Sequence, residues 1–249
     1  MHILVTGATA GFGLAIAKAL VADGHTVTGT GRRAERLAQI AAELGPRFIG
    51  RELDVTQRGA VQNVFAEIEE EVGPIDGLVN NAGLALGLDS ADKASLDDWD
   101  DMIDTNIKGL VYCTHAVLKG MVARDRGWIV NLGSTAGTYP YPGGNVYGAT
   151  KAFVHQFSLN LRADLVGKNV RVCSIEPGLC GGTEFSTTRF KGDSAQADKV
   201  YEGTDPITAD DLANTIRWLI SLPEHVNINA IEMMPTCQAP GPLAVKRRG

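Results

Sequence analysis

The chain has 249 residues, 44% of them hydrophobic and only 6% aromatic, with 29 glycines and a formal net charge of −6. This length supports a large core, and the negative charge offers no basic field to a nucleic acid. Few aromatics beside many Ala, Gly and Val favour packed helices and parallel strands over a β-sandwich. The cysteines, at 113, 173, 180 and 237, form no CxxC and pair with no His at metal-ligand spacing. No metal is expected, a reducing compartment is, and Cys173 inside "VRVCSI" reads as a buried thiol. No stretch reaches the apolar length of a membrane span. "MHILVTG" reads as a strand entering a loop rather than a leader. A soluble, cytoplasmic protein is the expectation, with the tail "KRRG" a solvated terminus.

Apolar, β-rich runs recur along the chain as "HILV", "HTVTGT", "RFIGREL", "IDGLVNN", "WIVNLG", "VRVCSI" and "NAIEMM". Helical spacing fills the gaps. "GFGLAIAKALVADG" places Phe12, Ile16 and Leu20 on one face and stops near Gly24. "RRAERLAQIAAELG" and "RGAVQNVFAEIEEEVG" also close on glycine, and longer helices are predicted over 97–124 and 145–166. Alternating strands and helices predict an α/β fold: one domain over 1–249, a doubly wound parallel sheet of about seven strands with helices on both faces. Strands covered on both sides read as continuous apolar runs, as these do. The irregular stretch 179–206 is long for a plain connection and is expected to act as a lid over substrate.

The first strand runs into "TGATAGFG", with glycines at Gly7, Gly11 and Gly13 and with Thr9 and Phe12 between them. The spacing departs from GxGxxG, but the physics is shared. A strand ends, glycines permit an unusual turn, and a helix N-terminus presents free N–H groups to a pyrophosphate. Taken alone, the loop is also compatible with an empty βα turn. The second strand ends "TGTGRR". NAD sites usually place a carboxylate near here for the ribose 2′-hydroxyl. Arg32 and Arg33 stand there instead, and guanidinium groups suit a 2′-phosphate. NADP is therefore the expected cofactor, the alternative being two solvated arginines in a first helical turn. Asp54 and Val55 end the third strand, as adenine contacts or a simple cap. Asn81, Ala82 and Gly83 end the fourth, where small residues let a ligand approach the backbone.

"TGATAGFG", "NNAG", Ser134 and "YGATK" occur in this order, with Ser134 thirteen residues before Tyr147. Together they resemble the short-chain dehydrogenase/reductase family over nearly the whole chain. The resemblance implies a Rossmann fold and a catalytic set of Ser134, Tyr147, Lys151 and Asn106. Asn106 would hold a proton-relay water, or else satisfy backbone within a helix. It also implies cofactor contacts at Pro177, Gly178 and Thr183, the last one residue further from the turn than usual. The chemistry is also arguable from the residues. Tyrosine, with a pKa near ~10, is a poor base at neutral pH. Residues i and i+4 share a helix face, and an ammonium ~5 Å from a phenolate contributes roughly 3 kcal/mol at an effective dielectric of ~20. Lys151 is thus expected to lower the Tyr147 pKa, with help from an oxidised nicotinamide. Lys151 is also expected to bond the nicotinamide ribose, and Ser134 to orient the substrate oxygen.

"NNAGLALG", "STAGTYPYPGGNVYGATKAF", "EPGLCGGTEFSTTRFKGD" and "HVNINAIEMMP" further resemble the bacterial NADP-dependent 3-hydroxy acid dehydrogenases. This implies small hydroxy acid substrates such as serine, allo-threonine and 3-hydroxyisobutyrate. Their carboxylate needs a cation or clustered N–H groups. Arg189 is the candidate, with Gly143 and Gly144 as backbone donors; a surface ion pair is the other reading of Arg189. A carbonyl reductase of a larger apolar ketone and a non-catalytic NADP sensor are the competing functions, and the intact Ser, Tyr and Lys oppose the sensor. Phe153, Phe157 and Leu161 line another helix face, and pairing of such helices between subunits in the family implies a homotetramer or dimer.

Overall fold

A computed structural model of the chain describes residues 1–241, so the "KRRG" tail lies outside the described residues. In chain order the first half comprises β1 (His2–Thr6), α1 (Gly11–Ala22), β2 (Thr26–Gly31), α2 (Ala34–Leu44), β3 (Phe48–Glu52), α3 (Arg58–Glu71) and β4 (Gly77–Asn80). There follow α4 (Leu96–Ile103), a π-helical segment (Asp104–Gly109), α5 (Leu110–Ala123), β5 (Gly127–Leu132), a 3-10 turn (Thr135–Gly137) and α6 (Asn145–Asp164). The chain continues with β6 (Val170–Pro177), two short helices α7 (Phe185–Arg189) and α8 (Ser194–Lys199), then α9 (Ala209–Ser221) and β7 (Ala230–Met233).

All seven strands lie in one parallel sheet, ordered β3-β2-β1-β4-β5-β6-β7. The order reverses at β1, whose neighbours are β2 and β4. Loops leaving β1 and β4 therefore diverge to opposite faces and open a crevice at the carboxyl ends of the strands. The apolar runs are buried on both sides, as β1 and β5 show along their whole length. One core packs β1, β2 and β5 side chains against α1, α2 and α9, through Ile16, Leu20, Ile40, Leu212 and Ile216. The other sets Leu4, Leu78 and Ile129 against α3, α5 and α6, through Phe65, Ile68, Val117, Met121 and Leu161. Cys173 is buried in the first core as expected, and burial pushes its thiol up to about 12.

Three features differ from the sequence expectations. The helix read over 97–124 begins at Leu96 and contains a π-helical segment around Asn106. Such segments skip the regular i→i−4 pairing and re-aim the residues within them. The stretch 179–206 carries two short helices. And α9 was not among the helices read from sequence. Its start signal is a capping box: the Thr208 hydroxyl accepts from the Asp211 N–H at 3.2 Å, and the Asp211 carboxylate accepts from the Thr208 N–H at 2.9 Å. Leu212, Ala213, Ile216 and Leu219 give α9 a buried face, and that face lies against α1.

Candidate active site

A cavity of about 840 Å³ occupies the crevice, running from Arg32 and Arg33 past the glycine loop to Ser134, Tyr147 and Lys151. Its first wall is the β1–α1 loop. Gly7 and Gly11 adopt φ of +67° and +52°, where a side chain would strain the backbone. Gly13 faces away from the cavity; a Cβ there would sit 2.3 Å from the Gly7 carbonyl oxygen, so it lets helix and loop close on each other. The N-cap, Ala10, donates no side-chain cap, which leaves the first N–H groups of α1 to a ligand. Asn81 fastens this loop to β4: its Nδ2 donates to the Thr6 carbonyl at 2.8 Å and to that of Gly7 at 3.2 Å. The Thr6 hydroxyl accepts from the Asn81 and Ala82 N–H groups, both at 3.0 Å. Thr9, Phe12, Ala82, Gly83, Asp54 and Val55 all line the cavity. Asp54 holds Thr56 through one carboxylate oxygen, at 2.8 and 2.9 Å, so it caps the loop as well as facing the cavity.

The two arginines behave differently. Arg32 makes no hydrogen bond or ion pair among the described residues. Arg33 donates to the Thr9 hydroxyl through Nε and Nη2, at 3.2 and 2.9 Å. Its Nη1 and Nη2 also hold both carboxylate oxygens of Glu184, at 3.3 and 3.1 Å.

The other end of the cavity is built on α6. Tyr147 and Lys151 share its inner face and are both 8% exposed. The Lys151 ammonium lies 5.8 Å from the Tyr147 ring centre and donates to the Leu132 carbonyl at 2.7 Å. Ser134 initiates the 3-10 turn, its hydroxyl accepting from the Ala136 N–H at 3.1 Å. Gly137 in that turn packs against the Lys151 backbone, where a Cβ would come within 2.7 Å; the Ser134 hydroxyl also donates to the Pro177 carbonyl at 3.4 Å. Burial pulls Lys151 down to about 8. The Tyr147 phenol is raised from its ordinary value chiefly by burial, while Ser134 and Arg189 oppose the rise. The direction is opposite to the one helical spacing predicts. Desolvation of the phenolate dominates at this depth. A phenol raised in this way stays protonated at neutral pH.

Asn106 stands behind the cavity wall. Its Oδ1 accepts from the Leu84 N–H at 2.9 Å, and its Nδ2 donates to the Leu84 carbonyl at 2.8 Å and to the Thr150 hydroxyl at 3.1 Å. Both amide hydrogens are used, so the side chain ties the loop after β4 to α6. Gly143 and Gly144 also leave the set expected to touch substrate. Neither lines the cavity; the Gly144 N–H is bonded to the Tyr141 carbonyl at 3.0 Å, and Gly143 is packed on the Leu88 carbonyl.

The segment after β6 lines the remaining side. Pro177 ends β6, and Gly178 follows beneath the Gln238 amide, whose Oε1 accepts from the Leu179 N–H at 2.6 Å. Thr183 rests against Gly11 and accepts from the Phe185 N–H at 3.3 Å. Phe185 meets the Tyr147 ring with centres 5.9 Å apart. Arg189 lies 5.5 Å from the ring centres of both Tyr141 and Tyr147, donating to the Tyr141 hydroxyl at 2.7 Å and to the Gly87 carbonyl at 3.2 Å. Lys191 is instead paired with Asp98 at 2.9 Å. Cys180 also lines the cavity, but burial pushes its thiol up to about 12 and keeps it protonated. Sequence reasoning missed Tyr141, Glu184, Phe185 and Gln238; Tyr141 had been visible only as one of several aromatics in "TYPYPGG".

The short chain dehydrogenase family model matches residues 1–194, and the chain belongs to that family. Among individual relatives, it is 58% identical over 247 residues to the NADP-dependent 3-hydroxy acid dehydrogenase YdfG of Salmonella typhi, covering 99% of this chain and 100% of the relative. It is 54% identical over 237 residues to the serine 3-dehydrogenase of Agrobacterium fabrum, covering 95% and 94%. A structure described as the closed form of serine dehydrogenase complexed with NADP+ superposes with a TM-score of 0.96 at 57% identity, covering all of both chains. No helix among the described residues is long and apolar enough to cross a membrane, and they include no cluster of potential metal ligands.

Proposed function

We propose that the protein is an NADP-dependent dehydrogenase interconverting small 3-hydroxy acids, such as serine, allo-threonine and 3-hydroxyisobutyrate, with their 3-oxo acids or semialdehydes. The relatives' activities support the reaction class. The observation that carries the substrate class is Arg189. It is held between two tyrosine rings above the catalytic centre, with two of its five N–H donors spent on Tyr141 and Gly87. The other three remain for a carboxylate. The cavity also fits the cofactor: a glycine loop, an uncapped helix N-terminus, and an unpartnered Arg32 where a 2′-phosphate would lie.

NADP, when bound, supplies the nicotinamide that accepts a hydride, or delivers one in its reduced form. Ser134 holds the substrate oxygen by a hydrogen bond and orients the carbon that bears it. Tyr147 gives its proton to that oxygen during reduction and takes it back during oxidation. Lys151 favours the phenolate that results, and Leu132 holds the ammonium in place. Asn106 acts as a positioning residue that keeps Leu84 and Thr150 around this pair.

The test replaces the substrate carboxylate by an amide. A charge-assisted pair with Arg189 contributes about 1.5–3 kcal/mol, so kcat/KM should fall by about 10²-fold, and Arg189→Leu should remove most of that discrimination. Equal turnover of acid and amide by the wild type would support the carbonyl reductase of apolar ketones instead.

A further inference from the structure

Arg32 and Arg33 share one expected task, contact with the 2′-phosphate. Their surroundings separate them. Arg33 has five N–H donors. Two serve Thr9 of the glycine loop and two serve the Glu184 carboxylate, leaving a single N–H on Nη1. A guanidinium so occupied cannot grip a phosphate with a fork of donors. Arg32, which has no partner among the described residues, retains all of its donors and lines the same end of the cavity.

Glu184 lies at the start of the lid, between two residues with contacts of their own. Thr183 is packed on Gly11 and Phe185 on the Tyr147 ring. Three consecutive residues therefore meet the glycine loop, the arginine arm and the catalytic tyrosine. Loop and lid approach each other across the mouth of the cofactor cavity, and Arg33 bridges them.

We infer that Arg33 and Glu184 form a latch that fastens the lid to the glycine loop over bound cofactor, while Arg32 is the residue that selects the 2′-phosphate. This rests on the NADP-dependent reading above. The latch slows the escape of cofactor, phosphorylated or not, because its bonds join protein to protein. Arg32 discriminates between NADP and NAD without controlling closure. Glu184 is a positioning residue: it touches neither substrate nor the reacting atoms.

The experiment measures NADPH and NADH release from the intact protein by stopped-flow fluorescence. Half-exposed ion pairs with bidentate geometry contribute modestly, so Glu184→Gln and Arg33→Ala should each speed release of both nucleotides about fivefold. The double variant should be no faster than either single one, since both remove the same bridge. Glu184→Asp should recover part of the loss. Arg32→Ala should instead lower the preference for NADPH over NADH about a hundredfold. Slower NADPH release in Glu184→Gln would mean that the carboxylate competes with the phosphate, and would overturn the latch. Multiplying effects in the double variant, or loss of nucleotide preference in Arg33→Ala but not Arg32→Ala, would overturn it too. Failure of the wild type to bind NADPH would instead remove the functional reading on which the latch rests.

Discussion

Lys151 should make the protein less stable as well as active. Its amine is buried, and the only bond it makes among the described residues is to the Leu132 carbonyl. Burial lowers its pKa from 10.5 to about 8, which corresponds to about 3 kcal/mol against the charged form. The folded-state pKa lies below the unfolded one, so the unfolded chain binds the extra proton between these values. Stability therefore rises with pH from about 8 to 10.5, and below 8 the folded protein carries the full cost. Lys151→Met removes the charge and keeps most of the volume. It also frees the Leu132 carbonyl, which offsets the gain by about 1 kcal/mol. The variant should be inactive yet about 2 kcal/mol more stable at pH 7, with a Tm about 4–8 °C higher for a chain of this size. Paired urea or thermal melts at pH 7 and near pH 10 provide the check, and the advantage should shrink at the higher pH. A variant less stable at pH 7, or an advantage unchanged by pH, would refute the argument that desolvation dominates this site.

Two further outcomes follow from the geometry. Tyr147→Phe should reduce turnover by about a thousandfold or more, through loss of the proton donor, while NADPH affinity measured by fluorescence titration stays within about twofold. Gly13→Ala should cost about 2 kcal/mol in a denaturant melt by overpacking, because the new methyl meets the Gly7 carbonyl backbone; NADPH affinity should fall with it, whereas a Gly59→Ala control, with open space around it, should leave the affinity unchanged.

Much of this site could be read from local spacing because the chemistry itself is local. The glycine loop is one strand–helix turn, and Tyr147 with Lys151 is one turn of helix, so neither needs knowledge of distant chain. The sheet was equally legible, since covered strands announce themselves as apolar runs. What escaped was set by contacts across the fold. Glu184 lies 151 positions from Arg33, and nothing in "GGTEFSTTR" marks its carboxylate as the partner of an arginine near the N-terminus. Spacing likewise gives the distance from Tyr147 to Lys151, but the depth of burial depends on Phe185 and Tyr141 packing on the ring. Asn106 was found at its position, yet its bonds to Leu84 show only once the π-helical segment turns it inward. The helix α9 is the plainer omission, because its capping box and apolar stripe were present in "TADDLANTIRWLI".

The Asn106 side chain imitates a neighbouring strand. It offers Leu84 one acceptor and one donor in a single plane, as a peptide unit does in a ladder, at the place where β4 has ended and no strand continues. Aspartate would turn an acceptor toward the Leu84 carbonyl, and leucine would leave both backbone groups without partners. A catalytic defect at this position has two candidate sources, a slackened backbone and loss of the relay water that the family resemblance implies. Only the first also loosens the loop that forms one wall of the nucleotide cavity, so weakened cofactor affinity is the sign that tells them apart.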